Sequence, residues 1–225
     1  MEKNEKRHLL MADINDGNLG LRGFATEKCC FLGITPKKKL SRGIRKILGV
    51  PIAHSAVLDT EFAGIFLAGN SSGLLLPRIA EDYSIMEIEK AAGNIMFIDS
   101  EFTSLGNLIL INDYGIVLSP FLKRHKKEIE KFFSLPCEIT KIAGSNVVGT
   151  LAFATNKGCI ISPKAKESEI KIIEKSLNVP ANKGTVGFGS PFPGAGIIAN
   201  SRGVVVSEST SGFEAGVIME SLGFV

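Results

Sequence analysis

Four cysteines (Cys29, Cys30, Cys137 and Cys159) and three histidines (His8, His54 and His125) are the residues that could supply a nucleophile, a general base or a soft metal ligand. Their spacing supplies none of these. Cys29 and Cys30 are adjacent, the other two are scattered, and there is no CxxC pair. No histidine stands from a cysteine or carboxylate as a metal pair would, so neither a metal nor a cofactor is expected. Four reduced thiols in a cytoplasmic protein is the expected state. Two glycine-rich strings also fail as phosphate sites. GFGSPFPGAG (187–196) lacks the strand-to-helix setting of a dinucleotide loop, and NKGT (182–185) has no upstream glycine at phosphate-loop spacing. One cluster could do electrostatic chemistry. Between Lys28 and Leu58 the chain carries Lys28, Lys37, Lys38, Lys39, Arg42, Arg45 and Lys46 with no acidic residue.

The elements that must position these residues follow from a composition that is globular, at 44% hydrophobic and 22% charged, with a net charge of only +3. Any contact with a polyanion must therefore come from a local patch. The uncharged runs 62–77 and 184–201 are too broken by Gly, Asn, Ser and Pro to span a bilayer, and MEKNEKRH is not followed by the apolar core of a signal peptide. The unusual number is glycine, 24 of 225 residues, or about 11% against an average near 7%.

Those glycines fall on a period. GIFLAGNSSG (64–73), GNLILINDYG (106–115), GTLAFATNKG (149–158) and GAGIIANSRG (194–203) share one pattern, and GLRGFATEKC (20–29) is a weaker copy. The leading glycines step by 44, 42, 43 and 45 residues, and five such units span nearly the whole chain. Each unit opens with a short apolar strand, and Asn-x-x-Gly then reads as a type I turn whose glycine takes the left-handed conformation. A second strand follows at 74–76, 116–118, 159–161 and 204–206, and Pro36, Pro77, Pro120 or Pro163 ends it in four units. Next comes a helix: Ile44, Ile47 and Leu48 share a face, as do Ile129, Phe132 and Phe133, and Ile170, Ile173 and Leu177. Ser84 with Glu87, and Ser211 with Glu214, match capping boxes. A third strand is expected near 95–98, 138–142 and 185–186.

The repeating unit is thus β-β-α-β, an α/β fold. Unit five stops at Val225 without a third strand, whereas Leu9–Ile14 is a strand with no helix before it. That segment is expected to fill the gap and close a five-fold ring over residues 9–225, removing open edges. Residues 1–8 are then a flexible charged extension.

Asn70–Asp82 (NSSGLLLPRIAED), Leu105–Pro120 (LGNLILINDYGIVLSP), Thr155–Pro163 (TNKGCIISP), Ala181–Thr185 (ANKGT) and Ile197–Val206 (IIANSRGVVV) closely resemble the translation initiation factor 6 family in its archaeal form. The likeness covers residues 9–225. It implies the pentein fold, five ββαβ units about a pseudo-five-fold axis, in a monomeric, non-enzymatic factor. It also implies binding to the intersubunit face of the large ribosomal subunit, on a ribosomal protein near the sarcin–ricin loop. There the factor blocks premature joining of the small subunit and takes part in large-subunit biogenesis.

Loops leading into the first strand of each unit emerge on one face of such a ring. They make Gly64, Ile65, Gly106, Asn107, Gly149, Thr150, Gly194 and Ala195 the candidate ribosome contacts. Asn107, in the LGN triplet shared with the family, is the foremost, because its amide both donates and accepts; the alternative is that it satisfies only its own loop. Lys38, Lys39 and Arg42 form a candidate rRNA patch, and a solvated outer helix face is the competing reading.

Three features depart from the family pattern: Cys29 in place of a turn glycine, which requires either about 1–2 kcal/mol of left-handed strain or a different turn type; a long Gly187–Gly194 loop; and the basic segment itself. The rival function is a guanidino-modifying enzyme of the same fold. Such enzymes place a nucleophilic cysteine in the last unit, and here no cysteine follows Cys159 and no histidine follows His125.

Overall fold

The computed structural model describes residues 8–12, 17–82 and 85–225. After β1 (Leu9–Ala12), unit one runs α1 (Leu19–Arg22), β2 (Gly23–Ala25), β3 (Cys30–Leu32), α2 (Lys38–Leu48) and β4 (Ile52–His54). Unit two repeats the order with α3 (Ala63–Phe66), β5 (Ala68–Asn70), β6 (Gly73–Pro77), α4 (Met86–Ala92) and β7 (Ile95–Ile98). Unit three has α5 (Leu105–Leu108), β8 (Ile109–Ile111), β9 (Ile116–Leu118), α6 (Lys126–Phe133) and β10 (Cys137–Ile139). Unit four has α7 (Val148–Leu151), β11 (Ala152–Ala154), β12 (Cys159–Ile161), α8 (Glu167–Leu177) and β13 (Ala181–Lys183). Unit five ends the chain with α9 (Pro193–Gly196), β14 (Ile197–Asn200), β15 (Gly203–Ser207) and α10 (Gly212–Ser221).

Each unit contributes a three-stranded sheet in which the first strand pairs antiparallel and the third parallel to the middle one. The middle strands are buried throughout their length, because the long helix covers one face and the neighbouring unit the other. In unit five the parallel third strand is β1, with Leu9 opposite Val204 and Ala12 opposite Ser207. The N-terminal segment therefore completes the last sheet, as its placement in the sequence requires. The fold is the mixed α/β, five-fold pentein arrangement, and no strand ladder joins one sheet to the next among the described residues.

The long helices bury the faces that their spacing marks out. Ile44 and Leu48, Ile129 and Phe133, and Ile170, Ile173 and Leu177 are all buried, with Ile47 and Phe132 partly so.

Several expectations need correction. The third strand of unit four is Ala181–Lys183, not 185–186. After the left-handed cap at Asn178, the chain pairs with β12 as soon as Pro180 has accepted from the Cys159 amide at 2.9 Å. Val186 is buried and bridges Ser190 across a loop instead. The third strand of unit three likewise starts and stops earlier, at Cys137–Ile139. The Ser84 cap and residues 1–7 lie outside the described residues, as does the end of the expected strand at Asp13 and Ile14.

Gly73, Gly115, Gly158 and Gly203 are not left-handed. They are required by close approach, because a Cβ there would run into the last turns of the next unit's helix. The obstacles are the Phe132 ring, the Ser176 and Ser221 carbonyls, and Ile47. Cys29 therefore carries no left-handed strain. The helix facing it, α4, is the shortest of the five and ends in Ala91 and Ala92. Cys29 packs within the same apolar cluster, its thiol donating to the Pro51 carbonyl at 3.5 Å.

Candidate functional site

The leading glycines do not open strands. Each is the second residue of a four-residue helix, and these helices meet around the axis at one end of the molecule. A Cβ on Gly64 would overlap the Gly20 carbonyl, and the same holds for Gly106 on Gly64, Gly149 on Gly106, Gly194 on Gly149 and Gly20 on Gly194. Backbone touches backbone at every step, so only glycine fits, and the last contact joins unit five to unit one.

At the opposite end the hairpin turns form a polar belt. Asn70 Nδ2 donates to the Asn112 carbonyl (3.1 Å), Asn112 Nδ2 to the Thr155 carbonyl (3.1 Å) and Asn200 Nδ2 to the Thr26 carbonyl (3.2 Å). One residue further on, the Ser71 amide donates to Asp113, the Asp113 amide to Asn156, the Asn156 amide to Ser201 and the Ser201 amide to Glu27. Between the two ends runs an axial cavity of about 80 Å³, lined by the five leading glycines and the buried turn residues. The recurring polar residue after each turn Asn or Thr is the sequence signal for this belt.

The predicted contact residues all belong to the short-helix end. Gly64, Ile65, Gly106, Asn107, Gly149, Thr150 and Gly194 are half-buried, and Ala195 is buried. Asn107 Oδ1 accepts from Thr150 Oγ1 at 3.0 Å, which ties units three and four together. The side chains of Ile65, Asn107 and Thr150 therefore lie at a rim, while the glycines form the wall.

That end also gathers exposed apolar groups. Each middle strand runs toward it and each long helix starts from it, which places Phe62, Ile79, Met86, Phe121, Phe188, Phe192 and Phe213 there or at its edge. Phe188 is 84% and Phe213 82% exposed. Among the described residues, the belt end shows Tyr114 in its turns at 46% and the C-terminal Val225 just beyond α10 at 86%. The sequence signal at the short-helix end is a Phe set between glycines at 187–189, and a Phe213 off the Ala215–Ile218–Leu222 stripe of its helix.

The loop that carries Phe188 is held by one carboxylate. Glu214, 5% exposed at the start of α10, accepts from the Ser211 amide (2.8 Å), the Phe188 amide (3.1 Å), the Gly189 amide (2.7 Å) and the Thr185 hydroxyl (2.8 Å). Burial by itself raises its pKa, but these donors outweigh burial and hold it down at about 2. The loop needs such support, because Gly187, Phe188 and Gly189 are all left-handed, with φ of 60°, 67° and 100°. Glu169 does the same for unit four on a smaller scale, accepting from the Lys166 amide (2.8 Å) and the Ala143 amide (2.9 Å).

The start of α2 is the reverse. Lys37, Lys38, Lys39, Arg42, Arg45 and Lys46 are all exposed, and none makes an ion pair among the described residues. Its first turn holds no acidic residue and Lys37 gives no side-chain cap, whereas the other four long helices have a glutamate in the first turn. Cations at the positive end of a helix cost a few tenths of a kcal/mol each.

All four thiols are buried. Burial pushes the Cys137 and Cys159 thiols up to about 12, helped by the Glu130 and Glu174 carboxylates, and it raises Cys29 and Cys30 as well. A thiolate nucleophile is strongly disfavoured at each. No group of metal-ligating side chains occurs among the described residues, and none of their helices is long and apolar enough to cross a membrane.

Against known proteins, residues 11–221 match the model of the eIF-6 family. The chain is 35% identical to translation initiation factor 6 of Methanocaldococcus jannaschii over 214 residues, covering 92% of this chain and 94% of that one. It is 33% identical over 218 residues to the protein of the same name from Pyrococcus horikoshii, covering 94% and 96%.

Proposed function

The chain belongs to the eIF-6 family, and from that premise we propose that it binds the large ribosomal subunit on its intersubunit face and excludes the small subunit until it is released. A role in translation initiation follows from the family. The finer reading adds cytoplasmic action as a monomer, with a part in large-subunit biogenesis. The docking end is the ring of short helices, with Gly64, Ile65, Gly106, Asn107, Gly149, Thr150, Gly194 and Ala195 at its centre. Its partner is a ribosomal protein of the intersubunit face, near the sarcin–ricin loop.

One observation carries the choice of end: most of the exposed large apolar side chains, five of them Phe, lie at the short-helix end or its edge, while the belt-end turns are joined by polar hydrogen bonds and expose Tyr114 and the terminal Val225. Exposed apolar groups gathered at one end of a molecule mark a protein interface, and aromatic anchors supply most of the binding energy in such surfaces. Fully burying one Phe is worth about 1.5–3 kcal/mol. The rim around Asn107 supplies the polar complement.

The mechanism is competition for one surface. Factor and small subunit exclude each other, so the free energy of factor binding subtracts from that of joining and no bond is made or broken. A ring of backbone contacts keeps the docking end stiff, which limits the ordering cost of association. The buried, protonated thiols support a non-enzymatic factor over a guanidino-modifying enzyme.

The test mixes the protein with separated subunits and follows joining by light scattering, with sedimentation as a second readout. The expected result is co-sedimentation with the large subunit alone and a dose-dependent loss of joining. Unchanged joining at saturating protein would sink the proposal.

A further inference from the structure

We propose that the exposed face of α2 is an RNA-binding surface that grips phosphates of the large subunit beside the docking end. The inference rests on the docking reading above and adds a second, chemically different contact to it. Six cations, Lys37, Lys38, Lys39, Arg42, Arg45 and Lys46, stand on one 11-residue helix and its cap, all exposed and none neutralised by a carboxylate among the described residues. Lys38, Arg42 and Arg45 follow i, i+4, i+7 spacing, as Lys39, Arg42 and Lys46 follow i, i+3, i+7, so the charges form a stripe and do not encircle the helix. The opposite face, through Ile44 and Leu48, is buried against the sheet.

Folding does not ask for this stripe. The other four units start their long helix with glutamate, and unit one alone starts it with three successive lysines, without an acidic residue or a side-chain cap. Position completes the argument. β3 runs toward the short-helix end and α2 leaves from it, so Lys37–Lys39 lie at the rim of the docking end. A molecule seated there brings the stripe against whatever flanks the protein partner. On a ribosomal subunit the abundant flanking polyanion is RNA backbone, which binds cation clusters without sequence preference through counterion release.

The experiment compares wild type with the Lys38→Ser/Lys39→Ser/Arg42→Ser variant, measuring affinity for purified large subunits against KCl concentration. A matching Lys38→Arg/Lys39→Arg variant preserves the charge, and thermal melts confirm folding. The slope of log K against log [salt] should fall in magnitude by about 2–3 when three phosphate contacts are lost, and the Arg variant should keep it. Protein-free large-subunit rRNA serves as a second probe, on which wild type should bind more tightly than the Ser variant. Equal slopes on the subunit with binding retained overturn this inference alone. A slope that falls on the subunit with no difference on naked rRNA assigns the stripe to an acidic protein and also overturns it. Wild type that fails to bind the subunit overturns the docking reading, and this inference with it.

Discussion

The starts of α10 and α2 occupy the same place in their repeats and have opposite chemistry. At α10, a buried Glu214 accepts from three backbone amides and from the Thr185 and Ser211 hydroxyls, and through them fixes a left-handed loop. At α2, three exposed lysines crowd the positive end of the helix, with no cap and no partner among the described residues. One start spends its polar groups inside the molecule and stiffens a surface; the other leaves its charge turned outward at a cost in stability. In a repeat protein, where the same position has been filled five times, such a difference separates what the fold needs from what a partner needs.

The largest effect should come from α10. Glu214→Gln removes the charge from five hydrogen bonds and should cost about 3 kcal/mol at neutral pH, the worth of a pKa held near 2 against an ordinary 4.5. Because the folded pKa is depressed, this contribution is complete above about pH 4.5 and is lost as pH falls through 2. Urea unfolding of both proteins should therefore show a gap that closes across that window. A gap unchanged at pH 2 would mean that the carboxylate charge is not what holds the loop.

Next in size is Glu169→Gln in unit four. Burial opposes ionisation of Glu169 too, but its amide partners hold the pKa below the ordinary value, and it pins only the Ala143 turn. We expect a loss of about 1 kcal/mol in the same unfolding experiment. A loss as large as that at Glu214 would erase the distinction between a simple capping box and a loop clamp.

The smallest effect should have the opposite sign. Lys38→Glu places an acid where the helix dipole favours one and should stabilise by about 0.3–1 kcal/mol in low salt, fading as salt is added. Stability should rise while affinity for the large subunit falls. If both fall, the lysine has a structural role and the contrast between the two helix starts is lost.

Much of this was legible from residue patterns. The period of the glycines, the buried stripes of the long helices and the surplus N-terminal strand all survive in the structure, because each rests on chain-local geometry. What the sequence did not disclose depends on contacts between units. The turn glycines looked like left-handed positions, and only the packed ring shows that a neighbouring helix leaves no room for a Cβ. Cys29 looked strained for the same reason, and it is accommodated by a shorter helix ending in two alanines. The leading glycines read as strand starts, since a four-residue helix is too short to show a period. Phe188 between two glycines and Phe213 off the stripe of its helix are only faint local signals. They become visible as a surface only when the loop and the helix start meet.

The most direct test of the account sets the two ends of the molecule against each other. Phe188→Ser/Phe213→Ser alters the short-helix end, and Tyr114→Ser/Lys157→Ser alters the belt end; all four side chains are exposed or partly so, and both variants should melt close to wild type. Affinity for purified large subunits should fall at least tenfold for the first variant and stay within twofold of wild type for the second. The reverse order, or equal affinity for both, would contradict the assignment of the docking end.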